Sequence, residues 1–360
     1  MSLRWRGEME PMDRWRALLR GDPVDRVPVF PLVSGYAAIA NGYPNLGEFW
    51  EKPEVSYRCQ LVAREMHGYD QPFTIIPPGY GAAEWGSKIL FPYNPKMGSV
   101  ATIDPVVKTA DDVERLEVPD PKTAPHYREL TETLKRAVRE KQFPLVMLTG
   151  GWISTVAPQI APLETFMRWL KFQPDVAKKL LAKSREFAIR AAEHFMRELG
   201  SDTWMPWDGT PTDSNVLISP KTFGEVVLPS AMELHQKVLD LGAPMWFTHF
   251  CCNHHGNIKA GHIERIPMGK PGIIHFGPEV DVAFTVERFG KRNIVLGNVD
   301  PPSMVLKGHD DVVALARADI EKGKGSPKGY ILGVGCELPP RAPPANVHAL
   351  VRAAREYGRY

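Results

Sequence analysis

Hydrophobic and polar positions along this chain alternate between short apolar runs and longer amphipathic segments. Eight runs have the length and composition of strands: 27–33, 71–76, 144–149, 203–208, 245–250, 272–276, 293–296 and 329–334. Between them, apolar residues recur at helical spacing with Lys and Arg on the opposite face, most clearly in 163–170 and 174–199. Further helices are expected at 13–20, 54–67, 111–117, 126–141, 221–241, 258–265, 282–289, 310–321 and 344–357. Ser219-Pro220 opens one of these and Gly242 closes it. Segments 88–93 and 98–103 have no helix between them and read as an inserted hairpin, while 34–46 reads as a loop.

Strands that alternate with helices predict a parallel sheet, and eight such units predict one closed α/β (β/α)8 TIM barrel. The expected organisation is an N-terminal helical extension, 1–26, followed by a barrel catalytic domain, 27–360. The competing architecture, an open doubly wound sheet, usually carries a glycine-rich phosphate turn after its first strand. Here that turn reads Val33-Ser34-Gly35-Tyr36, which is not such a fingerprint.

Composition narrows the function classes. The 360 residues are 43% hydrophobic and 24% charged, and 44 basic against 42 acidic residues leave a net charge of +2. That near-neutral balance argues against nucleic-acid or anionic-membrane partners. The first twenty residues mix Arg, Glu and Trp without an apolar core, so no signal peptide is expected and the cytoplasm is the default location. Four cysteines are too few and too unevenly spaced for a disulfide framework. Cys59, within an expected helix, reads as a packing residue.

The other three cysteines carry the candidate chemistry. Thr248-His249-Phe250-Cys251-Cys252-Asn253 closes the fifth strand, and Leu332-Gly333-Val334-Gly335-Cys336-Glu337 closes the eighth. In an extended strand alternate side chains share a face, so His249 and Cys251 are expected to project together and Cys252 away from them. Catalytic groups of a barrel collect at the carboxyl ends of strands, which brings Cys336 to the same mouth from 85 positions away. One imidazole and two thiols make a zinc ligand set with one position open. Two thiolates would cancel the charge of the ion, which suits a thiolate nucleophile for alkyl transfer better than activation of water. Asp208, Tyr36 and Trp207 are expected to meet substrate, and Glu337, Asp208 or Glu84 to compete for the fourth position. Tyr36, Tyr80, Trp85, Trp152 and Trp207 are expected as a docking rim or substrate walls. His254, His255 and His262 read as solvated loop residues, and His275 and His309 have no evident partner.

Three segments resemble the uroporphyrinogen decarboxylase superfamily: 248–253, Ile294-Val295-Leu296-Gly297-Asn298-Val299-Asp300-Pro301, and 329–347 with Gly335-Cys336-Glu337 at its centre. The His-x-Cys…Cys pattern is similar to the corrinoid-dependent methyltransferase branch, such as the methylcobamide:coenzyme M methyltransferases. The resemblance implies Zn2+ on His249, Cys251 and Cys336, and a corrinoid (cobalamin) carried by a partner protein. It implies transfer of methyl between that methylcobamide and a zinc-activated thiol or methylated small molecule. The alternatives are a metal-free decarboxylase-like lyase and a non-catalytic zinc-containing partner of a corrinoid protein. The Arg-rich segment that grips substrate carboxylates in the decarboxylase branch is missing from 31–37. The family usually has Cys-Gly-Asn where this chain has Cys251-Cys252-Asn253.

Overall fold

The computed structural model describes residues 8–360; residues 1–7 of the expected extension lie outside the described part. Eight parallel strands form a curled sheet in the order β1 (Val29–Phe30), β10 (Tyr330–Val334), β9 (Asn293–Val299), β8 (Gly272–Phe276), β7 (Phe247–Phe250), β6 (Met205–Gly209), β5 (Leu145–Met147) and β2 (Thr74–Ile75). Helices cover the outside, giving the (β/α)8 barrel expected from the alternation. The inserted hairpin is present as β3 (Lys88–Leu90) and β4 (Ala101–Asp104), paired antiparallel.

The seam between β1 and β2 is closed largely by side chains. Gln71 accepts from Val33 N at 2.7 Å and donates to Val33 O at 3.0 Å. Asp70 N donates to Val29 O at 2.7 Å, and Val29 N donates to the Asp70 carboxylate at 2.8 Å. These groups stand in for ladder bonds that the short edge strands cannot make, so the buried backbone stays satisfied. The Asp70 charge is neutralised by Arg14 at 2.5 Å and Arg26 at 2.8 Å.

Two hydrophobic cores result. The larger lies between strands and helices. The smaller fills the barrel interior with Phe30, Met205, Phe247, Ile273, Ile294 and Ile331. The N-terminal helix Pro11–Arg20 closes that interior from the amino-terminal side, adding Trp15, fully buried, and Leu18 to the same cluster. Burying a ring of this size contributes about 2–3 kcal/mol.

Some elements depart locally from expectation. The expected loop 34–46 contains a helix, Gly35–Ala40, whose Ala-rich stretch packs against Pro53–His67. The expected helix 221–241 is broken into Pro220–Thr222, a π turn over Phe223–Val227, and Leu228–Asp240. Segment 258–265 is only a short helix, His255–Lys259, and a 3-10 turn, Ile263–Arg265. No helix among the described residues is long and apolar enough to cross a membrane.

Candidate metal centre

Strand parity builds the site. On β6, Trp207 and Gly209 face the barrel interior; on the register-paired β7, His249 does the same, and Cys251 follows just past the strand end. Cys336 enters from the turn after β10. The ligand atoms of His249, Cys251 and Cys336 all lie within 4.8 Å of one another. The Cys251 and Cys336 sulfurs are 3.8 Å apart. Sulfurs held by one zinc at ~2.3 Å and the tetrahedral angle stand about 3.8 Å apart, so the pair already spans one tetrahedral edge.

The donor set fits a thiophilic divalent ion on a second count. His249 is 5% exposed, yet neither ring nitrogen has a hydrogen-bond partner, an expensive state for a buried imidazole unless something else takes the lone pair. A thiol proton between the two sulfurs can sit on either one. Their contact and burial drive the Cys251 pKa up, while the same contact and His249 drive that of Cys336 down. A metal ion would replace that proton.

The three donors form part of the wall of a cavity of about 210 Å³ on the carboxyl side of the barrel. Trp207 lines it, with its Nε1–H held by Ile75 O at 3.2 Å. Glu337 lines it too, accepting from the Ser34 hydroxyl; burial pushes its pKa up to about 7. Of the three carboxylates considered for a fourth position, only Glu337 borders the cavity, and it stands outside the three-donor cluster. Glu84 is buried against His126, 2.9 Å away.

Several expectations need correction. Asp208 has the opposite parity from Trp207 and points into the helical layer, fully buried, not toward substrate. There it accepts from Trp152 Nε1 at 2.7 Å and pairs with His235 Nε2 at 2.8 Å. Tyr36 is also turned away: it sits on the helix Gly35–Ala40 with its hydroxyl on His67 Nε2 at 2.8 Å. Trp85 and Trp152 are packed inside as well, so they form no rim. His254 is fully buried between Thr210 and Asn257, and burial holds its pKa down near 3, so it is not a solvated loop residue. Cys252 does not point away from its neighbour. The strand ends at Phe250, Cys252 takes φ 63°, and its sulfur lies 3.7 Å from that of Cys251.

Two residues matter more than the sequence suggested: His275, read there without a partner, and Asp213, not singled out. His275, the register partner of His249 on β8, lies against its ring; the signal was its place at the end of the adjacent apolar run. Asp213 accepts from Ile153 N, Ser154 N and the Ser154 hydroxyl, tying the loop after β6 to the loop after β5. Burial raises its pKa to about 6. Nothing in the local pattern Pro211-Thr212-Asp213 distinguishes it from a surface turn.

Comparison with known proteins agrees with this architecture. The family model for uroporphyrinogen decarboxylase (URO-D) matches residues 10–357. A methylcobamide:CoM methyltransferase of Methanosarcina barkeri is 27% identical over 357 residues, covering 96% of this chain and 97% of its own. A uroporphyrinogen decarboxylase of Trichodesmium erythraeum is 24% identical, with 94% of each chain covered. The solved structure of a methyltransferase from Methanosarcina mazei superposes with a TM-score of 0.78 at 21% identity, covering 97% of this chain and 99% of that one, which is a statement about fold. Matched over nearly its whole length, this chain belongs to the uroporphyrinogen decarboxylase (URO-D) family.

Proposed function

We propose that this chain is a zinc-dependent methyltransferase that moves a methyl group between a corrinoid carried on a partner protein and a small thiol or methylated molecule in the cavity. The observation that carries this reading is the cluster of His249, Cys251 and Cys336 in the wall of a mostly apolar cavity. In this reading those three residues hold the ion and Trp207 forms a substrate wall. The barrel, 27–360, is the catalytic unit, with the N-terminal extension as its closure. Bound there, zinc would supply Lewis acidity that keeps an incoming thiol deprotonated near neutral pH. The chain's own residues do the rest. Two cysteines balance the ionic charge, His249 leaves the set neutral overall, and the apolar wall keeps water from competing with the thiol.

The relatives divide between two names, methyltransferase and decarboxylase. Two soft donors at a tetrahedral edge distance favour the first, because a metal-free site has no use for them. A partner-borne corrinoid is supported by the surface on the same face. Val216 and Leu217, in the loop after β6, and Val305 and Leu306, in the short helix Ser303–Leu306 after β9, are exposed apolar side chains. Four free cysteines are in keeping with a reducing cytoplasm.

The test is metal analysis coupled to activity. The purified protein is expected to hold about one zinc per chain. His249→Ala and Cys336→Ser should lose it, together with thiol-dependent loss of the cobalt–methyl absorbance of methylcobalamin. Protein that folds, contains no zinc and takes up none would remove the reading.

A further inference from the structure

We propose that the small molecule handled in this cavity is uncharged and apolar, about the size of one substituted aromatic ring. This rests on the transferase reading above.

Size comes first. The cavity holds about 210 Å³. Apolar cavities of ~150 Å³ accept benzene, so there is room for one ring bearing a short substituent. Wall chemistry comes second. Phe49, Trp50, Tyr80, Trp207, Ile75 and Met147 are among the residues of a wall that is mostly apolar. The Trp50 and Tyr80 rings stack with centroids 5.6 Å apart and 30° between planes, presenting a broad aromatic wall to the cavity. Polar groups on the wall are already engaged elsewhere. Ser56 Oγ accepts from Gln60 at 3.1 Å, Thr74 Oγ1 donates to Pro72 O at 3.2 Å, and the Tyr80 hydroxyl meets Ser99 at 3.3 Å.

Charge decides between classes. Among the described residues no Lys or Arg lines the cavity; its ionisable groups are the three metal-site donors, Tyr80 and Glu337. A sulfonate, phosphate or carboxylate would sit against a carboxyl group and two sulfurs without a cationic partner. That leaves a desolvated charge unpaired, which costs several kcal/mol. A cation would find only Glu337, which adjoins Cys336 and is occupied by Ser34, so it would lie beside the metal ion. A neutral ring pays neither cost. With a thiol as acceptor, a sulfur lone pair forms the new S–CH3 bond. The Co–CH3 bond breaks with its electron pair left on cobalt, taking Co(III) to Co(I), and the thiol proton leaves to solvent.

The experiment compares three thiols on the zinc-loaded full-length protein with methylcobalamin as donor: phenylmethanethiol, 2-mercaptoethanesulfonate and 2-mercaptoethyl-trimethylammonium. Binding of the thioether benzyl methyl sulfide is measured separately by calorimetry. Phenylmethanethiol is expected to exceed both charged thiols in kcat/KM by at least about tenfold, and the thioether to bind. A charged thiol that equals or outruns it, or a thioether that does not bind, overturns the assignment. If the thioether binds but none of the thiols is methylated, the substrate class stands and the transferase reading fails. Ile76→Arg, at a half-buried wall position, should shift preference toward the sulfonate. An unchanged preference in a folded Ile76→Arg protein would place the substrate elsewhere and overturn the proposal.

Discussion

The imidazole of His275 lies against that of His249, with ring centroids 4.5 Å apart and 33° between planes, because the two are register partners on β8 and β7. His275 Nε2 donates to Val334 O at 3.0 Å, and burial holds its pKa well below the usual imidazole value, so the supporting ring is neutral. Val334 ends β10, the strand that leads to Cys336, so one histidine braces both halves of the donor set. Truncating it to His275→Ala should weaken zinc retention by about tenfold, as removal of groups supporting a metal ligand does. Competition with a chromophoric chelator reads this directly; unchanged affinity would mean that His249 is oriented without it.

Cys252 holds φ 63°, a left-handed backbone that a side chain enters at a cost of about 1–2 kcal/mol. Cys252→Gly should therefore raise the urea midpoint by the equivalent of about 1 kcal/mol and leave zinc stoichiometry intact. Loss of zinc in that variant would show that the second thiol takes part in holding the ion.

Asp208 serves the helical layer, where it satisfies Trp152 and His235; His235 Nδ1 in turn meets Pro267 O at 2.7 Å. Asp208→Ala leaves both partners stranded in the interior and should cost about 3–5 kcal/mol. Protein that remains folded at low temperature should keep its zinc and its thiol KM. A raised KM without loss of stability would return Asp208 to the substrate.

His67 gives the protein an acid-sensitive point outside the cluster of His249, Cys251 and Cys336. Burial first, and His348 second, hold its pKa down to about 4 from the ordinary 6.5. The folded state therefore resists protonation that the unfolded state accepts. The stability tied to neutral His67 is complete above pH 6.5 and is lost progressively as pH falls toward about 4. The whole window amounts to at most about 3 kcal/mol. His67→Gln should flatten that limb of the stability–pH curve, measured by denaturant unfolding; a limb of undiminished slope would assign the acid sensitivity to other groups.

Docking of the corrinoid carrier on these exposed apolar side chains predicts a split result. Leu306, 82% exposed, and Val216, 68% exposed, make few contacts within the fold. The double variant Val216→Asp, Leu306→Asp should fold normally and methylate thiols from free methylcobalamin at the parental rate. Its KM for the protein-borne corrinoid should rise by about tenfold or more. Equal KM values for the carrier in parent and variant would move the docking surface elsewhere.

Much of this molecule was legible from its sequence because the relevant signals are local. Apolar runs alternating with amphipathic segments specify strands and helices by period alone, and β7, β8, β10 and the helix Pro174–Leu199 lie where the pattern puts them. Once the barrel is recognised, residues at strand ends must share a mouth. His249, Cys251 and Cys336 could therefore be grouped across 85 positions without seeing the fold. What the sequence by itself did not determine was the direction in which individual side chains face. Strands buried on both sides read as continuous apolar runs, so parity carries no mark, and Asp208 differs from Trp207 only by one step along β6. That step separates the cavity from the helical layer. Tyr36 was turned away by a short helix, and His254 was sealed in by Thr210 from the loop after β6 and by Asn257 on the helix that follows it. The two thiols at 251 and 252 came together because the strand stops at Phe250 and Cys252 turns to a positive φ, so the alternation of an extended chain does not reach them. These outcomes depend on which distant surface each residue meets, and only tertiary packing supplies that surface.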